Sequence, residues 1–352
     1  MSRFPLVLLL AACTPSSNAA LLAATNCGSN ILCNAVCVNP LTSATNCGAC
    51  GHVCADSGTC TAGMCAVTVL ATQASHATAL VAAGTKLYWA DNGQIFSIDT
   101  AQAGAPVVVT SGAATNVRFL ATDGATIFFP DTHESLVATP VSGGTSVVIS
   151  DGAHSVNGGI TADDINVYWV SGSAVVFAPK AGGAIGTLVS NLNTPWALSN
   201  DTQNVYATFR GTRSTSGLSV GANDAGVVAV NKQTLTAAVL AATVADAVTV
   251  STDSAKVYFG GEALDAVPIT GGGATTVWAN ACASVMADAT GIYASGASEI
   301  VAKHPSDAAA FRLYEDAGAG SVQGIAIDDK YVYALVNAPG DASGVQLLKV
   351  SK

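Results

Sequence analysis

An aromatic residue returns at a nearly constant interval along most of this chain. Tyr88, Phe128, Tyr168, Tyr206, Tyr258, Tyr293 and Tyr333 each follow a branched or long aliphatic residue, just beyond a polar turn. The stretches GTKLYWADNG, DDINVYWVSG and DKYVYALVNA show the pattern. Successive aromatics lie 40, 40, 38, 52, 35 and 40 positions apart. The long interval holds a polar Gly/Ser-rich insertion, residues 210–226. A repeat of this period means a stack or ring of small units, each too thin to bury its own faces.

Each unit reads the same way. A short apolar stretch (GGITAD) runs into a turn with Asp, Asn or Gly, and the aromatic strand (NVYWV) comes next. A variable loop, a third strand (AVVFAPK), a Gly-rich turn and a β-branched strand (GTLVS) complete the unit. Turns such as SGGT, AGGA and GGGA allow the positive φ that tight hairpins need. No stretch carries a helical period. Four antiparallel strands per unit, seven times over, predict an all-β, seven-bladed β-propeller. The rings are expected to fill the space between blades. The last unit ends at GVQLLKVSK after three strands, and a spare strand, AVTVLATQ at 66–73, precedes the first. That strand is expected to close the ring and remove an open edge.

The stretch NVYWVSGSAVVFAPKAGGAIGTLVSN resembles the repeat of bacterial propellers related to the YWTD (LDL-receptor-type) and NHL families. The resemblance covers 67–352, although YW becomes YA or YF in the middle units. It implies binding of proteins or glycans. A few such propellers are lactonases or lyases.

The N-terminus sets the compartment. MSRFPLVLLLAAC has one Arg and an apolar run from Phe4 to Ala12, too short to span a bilayer and of signal-peptide type. Leu10-Ala11-Ala12-Cys13 resembles a bacterial lipobox. The resemblance implies a signal peptide over 1–12, a lipid on Cys13, a tether through 25 and membrane anchoring. Thr14 in place of Asp points to the outer membrane or cell surface. A plain secretory signal would export the chain too, so in either case its cysteines can oxidise.

Eight of the ten cysteines then fall close together: Cys27, Cys33, Cys37, Cys47, Cys50, Cys54, Cys60 and Cys65. TNCGSN returns as TNCGAC within the block. An even count in a Gly/Asn-rich exported segment reads as a disulfide module, here 26–66. Zinc is the rival, since Cys47 and Cys50 have knuckle spacing and His52 is near. No second matching CxxC exists, and the compartment favours oxidation. Eight cysteines leave about 105 pairings open. NCGACGHVCADSGTCTAGMC resembles the cysteine-rich modules of myxobacterial surface proteins and of the plant stigma-specific family, which implies a spacer or adhesion element. Cys282 stands alone and reads as a small buried thiol.

Charged residues are 10% of the chain and the net charge is −10. No basic cluster is present to neutralise a phosphate backbone, so nucleic acid is excluded as a partner. The repeated turn carboxylates Asp123, Asp163, Asp164, Asp201, Asp253, Asp288, Asp328 and Asp329 invite a calcium reading. Asp also suits a tight turn for its own hydrogen bonds, which is the reading preferred. Ligands of a propeller are expected on the opposite face, where Asp131, His133, Glu134, His154, Trp196, Arg210, Arg213 and Asp224 gather, with Asp91, Asn92, Asn157, Glu262 and Asp341. No GxSxG, HExxH or phosphate loop occurs in a suitable context. The expectation is a non-catalytic envelope lipoprotein that binds a protein or glycan, with no metal or cofactor. One alternative is a propeller-type lyase or lactonase with a divalent ion among His133, Glu134 and His154. The other is a purely structural envelope protein.

Overall fold

The computed structural model describes residues 27–73, 77–113, 117–150, 152–210, 225–243, 246–316, 320–337 and 344–352. Seven four-stranded antiparallel sheets form the body of the molecule. Blades 1 to 6 each take four strands consecutive in sequence. Blade 3 is representative: Ile160–Ala162, Asn166–Ser171, Ala174–Pro179 and Gly186–Val189. Its first strand faces the axis and its fourth lies outermost. Blade 7 takes Ser321–Ile327, Tyr331–Asn337 and Val345–Ser351, and its fourth strand is Thr68–Gln73 from the front of the chain. Thr68 pairs with Lys349 and Ala71 with Leu347, across a bulge between Leu347 and Leu348. The expected closure is present, and it covers an edge that would otherwise offer unpaired backbone groups.

The repeated aromatic has one job in all seven blades. Tyr88, Phe128, Tyr168, Tyr206, Tyr258, Tyr293 and Tyr333 are all buried. Each belongs to a different hydrophobic cluster, and each cluster joins one blade to the next. Tyr206 of blade 4 packs with Val250, Val257 and Phe259 of blade 5. Tyr333 of blade 7 packs with Leu80, Leu87 and Trp89 of blade 1. The next residue along the strand points to the other face, as strand geometry requires. Trp169 therefore packs backward, with Phe128 of blade 2. An aromatic pair thus stitches its blade to both neighbours.

The eight clustered cysteines form four disulfides: Cys27–Cys37, Cys33–Cys50, Cys47–Cys60 and Cys54–Cys65. Cys47 and Cys50 thus bond to different partners, which removes the zinc knuckle. Cys47, Cys54 and Cys65 lie close enough to suggest a metal group, yet all three are consumed in disulfides. Buried His52 lies beside them, its Nδ1 against the Cys47 carbonyl, and burial pushes its pKa down. The module rests on blades 6 and 7. The His52 ring meets Phe311 at 5.0 Å with the planes tilted, Ala55 N donates to Ser351 Oγ, and Tyr331 Oη donates to Asp56. Cys282 is free and buried, and burial raises its thiol pKa to about 12.

No helix among the described residues is long and apolar enough to cross a membrane. The signal segment, Cys13 and the tether lie outside the described residues. So do Arg213, Asp224, Asp341 and all of the 210–226 insertion except Arg210, Ala225 and Gly226.

Candidate binding site

The axis of the ring is nearly filled. First strands of six blades, with residues 118–120 leading into the second, line a cavity of about 200 Å³, with Leu80, Leu120, Ile160, Leu198, Val250 and Ile325 among its walls. Aliphatic side chains line it, but the surface it exposes is more polar than apolar.

On the face that carries the second-to-third-strand loops, a cleft of about 270 Å³ opens beside this cavity. Phe119, Glu134, Asn157 and Trp196 line it, together with Arg118. Phe119 enters from the crossing into blade 2, and Trp196 from the start of the first strand of blade 4, Pro195–Asn200. Both rings are half-buried and meet edge to face at 5.4 Å. Arg210, at the end of the second strand of blade 4, lies 4.8 Å over the Trp196 ring. Its backbone N–H donates to the carbonyls of Asn193 and Thr194, and its guanidinium donates to Asp246 at 3.0 Å. The glycine pair 158–159 makes room for this arrangement. A Cβ on Gly158 would sit 2.7 Å from the Trp196 carbonyl, and one on Gly159 would sit 2.5 Å from Leu198 N.

Of the residues expected on this face, Glu134, Trp196 and Arg210 come together. Asn157 joins them, and its Oδ1 accepts from Gly172 N. Asp131 serves its own loop, with Oδ1 accepting from His133 N and Ser135 N. The His133 side chain is 85% exposed and stands over Asp131, outside the cleft. His154 is half-buried, and its carbonyl accepts from Trp169 Nε1. Among the described residues His133, Glu134 and His154 do not form a group able to hold a metal ion.

Three members of the site went unread in the sequence: Arg118, Phe119 and Asp246. Phe119 carried a usable signal, since it is an aromatic off the forty-residue rhythm, as Trp196 is. Asp246 carried none, because its role depends on a neighbour 36 positions away.

The opposite face confirms the turn reading of the repeated aspartates. In six blades one carboxylate oxygen, on Asp123, Asp163, Asp201, Asp253, Asp288 or Asp328, accepts two backbone N–H groups of its own turn. Asp164 and Asp329 are exposed second residues of such turns. In blades 3, 4, 5 and 7 the other oxygen accepts from the repeat tyrosine. Burial works against the Asp163 charge, but the N–H of Asn166, the Lys232 ammonium and the Tyr168 hydroxyl outweigh it and hold the pKa at about 2.

No family model matches the chain, and no curated protein matches it. Among solved structures, a chain from the nidogen/laminin complex is similar, with a TM-score of 0.53 and 14% identity. The match covers 69% of this chain and 98% of that one. At that identity the likeness establishes a shared β-propeller fold. The class that fold and site define is a closed seven-bladed propeller fronted by a disulfide module.

Proposed function

We propose that this protein is an exported binding protein, tethered to the cell envelope by a lipid on Cys13, whose propeller captures a protein partner at the Trp196 cleft. The observation that carries the reading is the half-exposed Phe119–Trp196 pair with Arg210 stacked on it. Aromatic and arginine side chains dominate binding energy at interfaces, and here they are already braced by Asp246 and the Gly158–Gly159 approach. The structural neighbour comes from a complex of two proteins, which supports a protein over a glycan as partner. The resemblance of the repeat to YWTD-type propellers supports the same choice. The insertion at 210–226 starts at Arg210, which stacks on Trp196, and long loops on repeats often carry specificity.

The test is a two-stage binding measurement. Purified protein is screened against envelope proteins and glycans, and Kd is measured for what binds. Trp196→Ala should weaken that Kd by about 30-fold, the effect of removing a ~2 kcal/mol aromatic hot spot. Circular dichroism and Tm should stay at the parent values, because the ring is half outside the core. A Trp196→Ala and Arg210→Ala pair that binds as tightly as the parent sinks the proposal.

A further inference from the structure

The turn-bearing face contains a recurring cation site, and its copy between blades 5 and 6 is a cleft without the lysine. Three lysines occupy the same register position, three residues beyond the partner of the repeat aromatic. Tyr168 pairs with Phe177, Tyr206 with Ala229 and Tyr333 with Lys349, which places Lys180, Lys232 and Lys352 alike. Each reaches back to the turn aspartate of the preceding blade: Lys180 to Asp123, Lys232 to Asp163 and Lys352 to Asp288.

Two copies show the whole cage. Lys232 Nζ is 2.8 Å from Asp163 Oδ2 and 2.6 Å from the Asp201 carbonyl, and it lies 5.4 Å from the Tyr168 ring centre. Lys352 Nζ meets Asp288, the Asp328 carbonyl at 2.7 Å and the Tyr293 ring at 4.8 Å. The recipe is a carboxylate and a tyrosine face from one blade, plus the turn carbonyl of the next.

Between blades 5 and 6 the receptor is complete and the lysine is missing. Tyr293 pairs with Ala302, so the lysine position falls on Pro305. A proline ring cannot span to the preceding blade and has no charge to offer. Asp253, Tyr258 and Asp288 supply the three receptor groups, and all three line a cleft of about 460 Å³. Among the described residues no lysine or arginine pairs with Asp253; its partners are the N–H groups of Ala255 and Lys256 and the hydroxyl of Tyr258. Lys256, Lys303 and His304 also border the cleft; the Lys303 Nζ is engaged by the Asp307 carbonyl, and His304 Nδ1 faces Asp307 Oδ2 at 3.2 Å. Between blades 4 and 5 the lysine is absent too, and there apolar Ile269 packs into the blade interface instead.

The geometry points to this cleft as a binding site for a primary alkylammonium group, seated as the lysine ammonium is seated between blades 3 and 4. The site lies on the face opposite Trp196 and does not depend on the function proposed for that cleft. The ammonium is carried either by a small free amine or by a lysine side chain of another protein. Carboxylate and turn carbonyl accept its hydrogen bonds, and the Tyr258 face contributes a cation–π contact.

The test uses the full protein and n-butylammonium, followed by NMR or calorimetry, with n-butanol as the uncharged control. Butylammonium should bind and butanol should not. Asp253→Asn keeps the turn-capping oxygen and should weaken binding at least about tenfold, the cost of losing a charge-assisted hydrogen bond. Pro305→Lys supplies the missing internal lysine, and it should abolish butylammonium binding and raise Tm. A capped lysine peptide bound tighter than butylammonium assigns a protein lysine as the natural occupant; equal affinity assigns a small amine. No butylammonium binding to the parent protein overturns the site. So does undiminished binding to folded Pro305→Lys.

Discussion

At the scale of single residues, the turn aspartate does two jobs that the sequence only half disclosed. Its position after the first strand made the backbone-capping role legible, because Asp favours such turns in any context. Its second role, a link between blades, was not legible, since Lys232 lies 69 positions from Asp163. That link makes a prediction about pH. Asp163 titrates at about 2 in the folded protein against an ordinary 3.8, because hydrogen bonds and Lys232 overcome its burial. A depressed carboxylate stabilises the fold fully above its unfolded value and loses that contribution as pH falls through the folded one. Asp163→Asn should therefore cost about 1 kcal/mol at neutral pH, after allowing for partial exposure, and little near pH 2. Thermal melts of both proteins across the acid range check this. Two curves that stay parallel down to pH 2 contradict the pairing. Asp123, Asp201 and Asp288 are also depressed, each against an opposing burial, so the variant still loses stability in acid.

Strands were the most legible element. Alternation of side chains with a period of two gave the aromatic strand, its partner and the Gly-rich hairpins in order, because one inward and one outward face admit few other registers. The least legible strands are the shortest. Val147–Val148 is two residues long and exposed, so nothing in burial demanded its pairing. The latch Thr68–Gln73 was legible for a different reason: a three-stranded last unit leaves an edge that some segment must cover. In the structure the latch's own Leu70 and Ala71 are buried, and the cluster they join also holds Tyr333 and Trp89. Removing the latch thus strips both the backbone pairing of blade 7 and part of its packing against blade 1. Deleting residues 66–72 should replace one cooperative thermal transition with a broad, early one. A truncated protein that melts at the parent temperature would show the ring closes without this strand.

On the scale of the whole molecule, the disulfide module and the ring form one device, and no spacing rule could have revealed that. The docking on blades 6 and 7 depends on contacts between residues hundreds of positions apart, such as Tyr331 with Asp56. Cys65, the last disulfide partner, stands just before the latch, so the module anchors the start of the strand that closes the ring. The ring itself has no disulfide among its described residues, and its one cysteine, Cys282, is buried with its thiol pKa raised to about 12. A thiol so protonated and enclosed is a poor partner for exchange, so reduction acts on the module alone. Added reductant should open the four bonds and undo the docking of His52, Ala55 and Asp56, while blade hydrogen bonding persists. These contacts are few and partly exposed, so the Tm of the ring should fall by only about 1–2 °C, as a loss near 1 kcal/mol gives in a chain of this size. Melts followed in the far ultraviolet, with and without reductant, measure the shift directly. Collapse of the β signal at room temperature would mean that the module holds the ring together, and an unmoved Tm would mean that it merely hangs beside it.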